Sequence, residues 1–280
     1  MLAQTLRAYS TAARRRPFQV AIDGPAASGK STTAKMVAQR LGFDYIDTGA
    51  FYRCVTLAAM SKNLDPSDPS NVQKISDLAF QSRIGLKTIF ADPVLNADKT
   101  LSTPASLPTT RVFLDSKDVS LEIRTGSISK HVSAVAAIGP VREAVLQKVR
   151  EIGAREDTGD NHGSDSSSAG LVMDGRDIGT VVLPKADLKV FLVADSRVRA
   201  MRRLEELIRN GADPSKENLD LDVVQQDLER RDELDRTRKV SPLRKAADAM
   251  ELDTSNLTIE GQVDEIVKEV EKRRGVPTQH

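Results

Sequence analysis

The chain lacks three things whose absence narrows its possibilities at once: cysteine pairs, a sizeable net charge, and any long apolar run. Cys54 is the single cysteine among 280 residues, so neither an intrachain disulfide framework nor a four-cysteine zinc site is possible, and a reducing compartment is favoured over secretion. Its simplest role is that of a small buried hydrophobe. Positive and negative residues nearly cancel at a formal +1, which removes the one-signed field expected of a nucleic-acid coat or a membrane-surface protein. Any anion must be met by local clusters. No stretch approaches the roughly 18 to 20 continuous apolar residues that a bilayer span requires, so neither nucleic acid nor membrane is an expected partner and a soluble protein is. No internal repeat occurs, and the length suits one domain with insertions or two intimate ones.

The first seventeen residues, MLAQTLRAYSTAARRRP, hold Arg7, Arg14, Arg15 and Arg16, and no acidic residue appears before Asp23. That fits a mitochondrial presequence, with Arg7, Tyr9 and Ser10 in the order of an Arg-x-Tyr-Ser processing site; a plain basic leader is the alternative. Ordered structure begins at Phe18. Residues 18 to 22 read as a strand delivered into a loop at Asp23-Gly24, and Ala34, Val37, Ala38 and Leu41 recur at helical spacing until Gly42 closes the run.

FDYID from Phe43, GLVMD from Gly170 and LKVFLVA from Leu188 read as further core strands. Helical patterns follow Pro140 through Val141, Val145, Val149 and Ile152, follow Ser196 as far as Gly211, and return at Val263, Ile266, Val267 and Val270. This alternation predicts an α/β fold: a mostly parallel sheet with helices on both faces. Two regions break the rhythm. Between residues 82 and 124, short alternating stretches (RIGLKTI, RVFLD, VSLEI) punctuated by prolines predict a small β-rich insertion. Residues 156 to 170, EDTGDNHGSDSSSAG, are polar and aperiodic, which predicts a disordered surface loop. His162 lies inside it without a second metal ligand at suitable spacing, so it reads as solvent-exposed. The expected organisation is a leader at 1–17, core at 18–81 and 125–272 around the insertion, and a tail at 273–280.

Gly24-Pro25-Ala26-Ala27-Ser28-Gly29-Lys30-Ser31, followed by Thr32, satisfies G-x-x-x-x-G-K-[ST] and sits between a predicted strand and a predicted helix, the context that motif needs. It is a phosphate loop. Its glycines let backbone N–H groups converge on phosphate oxygens, Lys30 would reach the β- and γ-phosphates of ATP, and the Ser31 hydroxyl would contribute a ligand to Mg²⁺. Such a loop alone does not choose among kinase, ATPase, motor and switch. The absence of an Asn-Lys-x-Asp guanine-reading motif argues against a GTPase switch.

Four separated signatures in order, IDGPAASGKST, DTGAFYR, VSAVAAIGPVREAV with MDGRDIGTVV, and ERRDELDRTRKVSPL, resemble the bacterial-type cytidylate kinases of the nucleoside monophosphate kinase family, from Phe18 to about Lys272. The resemblance implies a P-loop NTPase-type sheet, a monophosphate-binding insertion at 82–124 and a helical lid at 205–240. It implies ATP-dependent phosphorylation of CMP and dCMP in pyrimidine nucleotide metabolism, with Mg²⁺ as cofactor and a monomer as the expected state. By the same resemblance Thr48 and Arg53 hold the acceptor phosphate, and Ser133, Arg142 and Asp177 recognise the cytosine edge. Arg176, Arg231 and Arg238 are directed at phosphates, and Asp235 lies near the ribose. The chemistry suits those roles, because cytosine offers an exocyclic amine to a carboxylate and acceptors to an arginine and a hydroxyl.

Residue by residue, blander readings stand beside these. Arg53 alone reads equally as a surface arginine, and ERRDELDRTRKVSPL alone reads as a solvated, salt-bridged helix face. Asp174 reads either as an orienter of magnesium-bound water or as a turn aspartate. The chain departs from the bacterial pattern in its leader, its Ser-rich loop and Thr48, where serine also occurs; the threonine methyl bears on substrate preference. Rivals are a kinase for UMP or another small metabolite, and a P-loop binding switch or RNA-associated ATPase.

Overall fold

A computed structural model describes residues 17–90, 94–95, 101–102, 108–153, 170–209 and 220–275. Its main sheet has five parallel strands in the order β10-β9-β1-β8-β2, with β1 Phe18–Asp23 at the centre. The other members are β2 Asp44–Asp47, β8 Gly170–Gly175, β9 Leu188–Val193 and β10 Met250–Asp253. Side-chain alternation divides the core into two layers. Val20, Ile22, Tyr45, Val172 and Val190 face α1 (Lys30–Leu41) and α8 (Ile259–Arg274), whereas Ala21, Ile46, Leu171 and Met173 face α2 (Thr48–Met60), α3 (Val72–Gln81) and α5 (Gly139–Gly153). Fully burying each large aliphatic side chain contributes about 1.5–3 kcal/mol, so the two layers supply most of the driving force.

The segment between α3 and α4 (Gly126–Ala137) forms a small antiparallel insertion. Strands β3 Ile84–Ile89, β6 Thr109–Leu114 and β7 Lys117–Asp118 make one sheet, and β4 Val94–Leu95 pairs with β5 Leu101–Ser102. The insertion sits on α2, where Val112, Val119 and Ile123 pack with Ala50 and the buried thiol of Cys54. One expectation within it fails. VSLEI is not a strand: residues Glu122–Arg124 form a 3-10 turn, and Leu121, which alternation would bury beside Val119 and Ile123, is exposed while the Ile123 N–H donates back to the Val119 carbonyl.

Helices α6 (Ser196–Arg209) and α7 (Leu221–Thr237) pack on each other and on the phosphate loop through Ala26, Ala200, Val224 and Leu228. These two helices carry most of the described part of the 205–240 segment. The basic leader before residue 17, the Ser-rich stretch with His162, and the last five residues lie outside the described residues. Among the described residues, no helix is long and apolar enough to cross a membrane.

Candidate active site

Strand β1 delivers the chain into a loop at the C-terminal edge of the sheet, the edge where open α/β folds bind ligands. A Cβ at Gly24 would stand 2.6 Å from the Leu192 carbonyl oxygen, so the loop can lie this close to β9 only as glycine. Gly29 takes a left-handed φ of 87° and turns the chain into α1. Pro25 has no N–H, and that of Ala26 goes to Asp232, so these two shape the loop without offering an amide. Lys30, the first residue of α1, is buried and donates to the Pro25 carbonyl at 3.0 Å.

Asp174, near the end of β8, faces this loop. Its carboxylate accepts from Ser31 Oγ at 2.7 Å and from the Tyr45 hydroxyl at 2.7 Å, a placement that the turn-aspartate reading does not predict. Burial, then the neighbouring Asp47 carboxylate, pushes Asp174 up to about 6. Burial, then the nearby Arg176 guanidinium, pushes the Lys30 ammonium down to about 7. Both groups therefore sit in an environment that disfavours their charge until a counter-ion arrives.

A half-open cleft is lined by Thr48, Arg53, Ser133, Arg176, Asp177, Arg231 and Asp235. Four elements bring these residues together. Thr48 opens α2 under an Asp47 cap that accepts from the Ala50 N–H, and its hydroxyl donates to the Asp174 carbonyl at 2.7 Å. Gly175 is required there, since a Cβ would stand 2.6 Å from Thr48 Oγ1. Arg53, one turn along α2, donates to the Ile123 carbonyl and to Ser129 Oγ. Ser133 comes from α4, and Arg231 and Asp235 come from α7.

Asp177 follows β8 at the start of a wide helical turn, Ile178–Val182. Asp23 sets that turn by accepting the N–H groups of Ile178 and Gly179 at 2.8 and 2.7 Å. Burial pushes Asp23 up to about 7 even though both donors pull it down. Behind Asp177 stand Arg142, hydrogen-bonded to it, and Arg238, 3.8 Å away. These two arginines support the cleft and do not line it. Arg176 is held by Asp235 at 2.8 Å, with Arg238 3.6 Å from the same carboxylate.

The cationic groups outnumber the anions that meet them. Burial, then Arg176 and Arg53, pulls the Arg231 guanidinium down to about 9; burial likewise lowers Arg53, and burial with Arg142 lowers Arg238. Arg231 Nε, Arg142 Nε and Arg238 Nη2 are buried without a hydrogen-bond partner. Crowded guanidinium groups left short of acceptors form a site prepared for a polyanion.

Three contributors escaped the sequence reading. Tyr52 lines the cleft with its ring 5.3 Å from the Arg142 guanidinium, Tyr45 tethers Asp174, and Asp232 meets the phosphate loop. Tyr52 alone was reachable, because it adjoins Arg53 within DTGAFYR.

Known proteins of one family match this chain closely. The family model described as cytidylate kinase matches residues 20–272. A cytidylate kinase of Bacillus subtilis (strain 168) is 40% identical over 92% of this chain and 98% of its own length. One from Limosilactobacillus reuteri (strain DSM 20016) is 42% identical over 91% and 96%. One from Limosilactobacillus fermentum (strain NBRC 3956 / LMG 18251) is 43% identical over the same two shares.

Proposed function

With a match of this extent the chain belongs to the cytidylate kinase family, a family of phosphotransferases, and on that premise we propose how its cleft carries phosphate from ATP to CMP and dCMP. The single observation that supports the assignment of roles is the convergence of Arg53, Arg176 and Arg231, the last with its Nε unpartnered, in a cleft that also holds Ser133 and Asp177. Phosphates of the donor lie in the loop from Gly24 to Thr32, and the acceptor nucleotide lies in the cleft. Thr48 and Arg53 hold its phosphate. Asp177 accepts from the exocyclic amine of cytosine, with Ser133 donating beside it, while Arg142 and Arg238 hold the Asp177 carboxylate in position from behind.

An oxygen of the CMP phosphate forms a bond to the γ-phosphorus as the bond from that phosphorus to the bridging oxygen breaks. The electron pair leaves with ADP, and CDP results. No general base is required, because the attacking phosphate is already anionic near neutral pH. Lys30, Arg176 and Arg231 spread the charge that develops on the transferred group, and their fixed positions do the catalytic work. Arg238, expected from the sequence to reach a phosphate, instead braces Asp177 and Asp235 from behind. The Ser31 hydroxyl and the Asp174 carboxylate, 2.7 Å apart, form a hard-oxygen pair that suits Mg²⁺ directly or through water. When bound with ATP, Mg²⁺ neutralises the donor oxygens. Helices α6 and α7, which supply Arg231, act as the lid that excludes water, and the insertion on α2 acts as the monophosphate-binding part.

The test is ADP release by purified protein with CMP, dCMP, UMP and AMP. CMP and dCMP should support turnover well above UMP, whose carbonyl would face the Asp177 carboxylate. Equal use of UMP and CMP would defeat the base assignment, and release without acceptor would favour an ATPase.

The enzyme works as a monomer in this reading, since all the proposed roles fall to one chain. The leader is read as a mitochondrial matrix signal, supported by four arginines and no acid before Asp23, although the relatives named above are bacterial. A fluorescent fusion of residues 1–17 should concentrate in mitochondria. Diffuse cytoplasmic signal would leave only a basic leader.

A further inference from the structure

One peptide of the phosphate loop is gripped from both sides by the lid helices. Asp232 on α7 accepts from the Ala26 N–H at 3.0 Å, and Arg199 on α6 donates to the Ala26 carbonyl at 3.1 Å. The two side chains also pair with each other, and they are only 1% and 6% exposed. Arg199 Nε donates in addition to the Ala194 carbonyl, which fixes the fork at the end of β9. A charge pair this deeply enclosed returns little net stability, because desolvation offsets the attraction; its distinctive contribution is a defined geometry. That geometry matters here, since the next residue, Ala27, holds a left-handed φ of 56° that costs about 1–2 kcal/mol and persists only where its surroundings impose it.

The same helical turn faces the other nucleotide. Arg231, next to Asp232, lines the acceptor cleft with its Nε unpartnered, and Asp235, three residues on, holds Arg176 at 2.8 Å. A tilt of α7 therefore moves the loop peptide and the cleft arginines together. We propose that Asp232, paired with Arg199, is a positioning residue that couples the two nucleotide sites through α7, so that filling either site tightens the other. This rests on the reading that ATP fills the loop and CMP the cleft.

The experiment is calorimetric titration of CMP and of a non-hydrolysable ATP analogue, each with and without the other. In the native protein each ligand should raise the affinity of the other by the same factor, about 5- to 150-fold, since coupling between binding sites is reciprocal. Asp232→Asn keeps the shape and an acceptor oxygen but removes the charge, and Arg199→Lys keeps the charge but removes the fork. Each should cut the coupling factor below about 3-fold while CMP alone binds within about 3-fold of native. Asp222→Asn, which breaks the exposed Arg197–Asp222 pair between the same two helices, should leave the coupling intact.

Full coupling in both folded variants overturns the proposal, as does a native factor near one. Equal weakening of both ligands with coupling retained overturns it too, because that is the mark of a merely structural pair. Circular dichroism melts accompany each variant: if one unfolds, the other decides, and if both unfold the pair serves the fold and the proposal fails. Absence of any CMP binding would instead sink the acceptor assignment on which it rests.

Discussion

Lys30→Ala is expected to lower kcat with CMP by about 10²–10³-fold, the usual cost of removing one fixed donor from a developing anionic charge. The fold should survive. Lys30 is buried beside Arg176 with its ammonium pushed down to about 7, so in the empty site it is a strained cation whose loss relieves repulsion. A thermal midpoint at or above native, together with the loss of turnover, is the expected pair of results. The pH dependence follows the same shift. Phosphates raise the pKa of an ammonium they surround, so the affinity gained through Lys30 is complete below about 7 and declines as pH rises above it. The analogue's dissociation constant, measured from pH 6 to 9, should rise in the native protein and flatten in Lys30→Ala. Near-normal turnover in that variant would remove Lys30 from the transition state.

Arg142→Ala should reduce kcat/KM for CMP by about 30- to 4,000-fold while changing the KM for ATP by less than about 3-fold. Truncating one partner of a buried, hydrogen-bonded charge pair costs about 2–5 kcal/mol, much of it from the partner left behind. That partner is Asp177, which would retain only Arg238 at 3.8 Å. Steady-state kinetics with each substrate varied in turn decide the matter. Equal loss for both nucleotides would mean that Arg142 serves the whole cleft rather than the base.

The sequence made the scaffold legible wherever a periodic signal was strong. Phe18–Asp23 and Leu188–Val193 are fully apolar on at least one face, and glycines at 29 and 42 bound α1 as their spacing suggested. The phosphate loop was legible because its function resides in local backbone. The acceptor cleft was not: Arg53, Ser133, Asp177 and Arg231 come from four separate elements, and only family resemblance placed them together. Tyr45, Asp232 and Arg199 were invisible for a related reason. Each acts on a partner more than 100 residues away, and nothing in the local pattern marks a buried aspartate within a charged helix as different from its exposed neighbours. VSLEI misled because five residues suffice to suggest alternation but not to exclude a turn.

The packing of the insertion on α2 carries a practical corollary for watching this enzyme move. Cys54 is wholly enclosed beneath the insertion and its thiol is pushed up to about 12 by burial, so at neutral pH it offers neither access nor thiolate to an alkylating dye. A cysteine introduced at Leu234, half exposed on α7, would then be the sole position that maleimide probes can tag. Fluorophores could report nucleotide-driven motion of that helix in an otherwise native chain, with no background labelling to subtract.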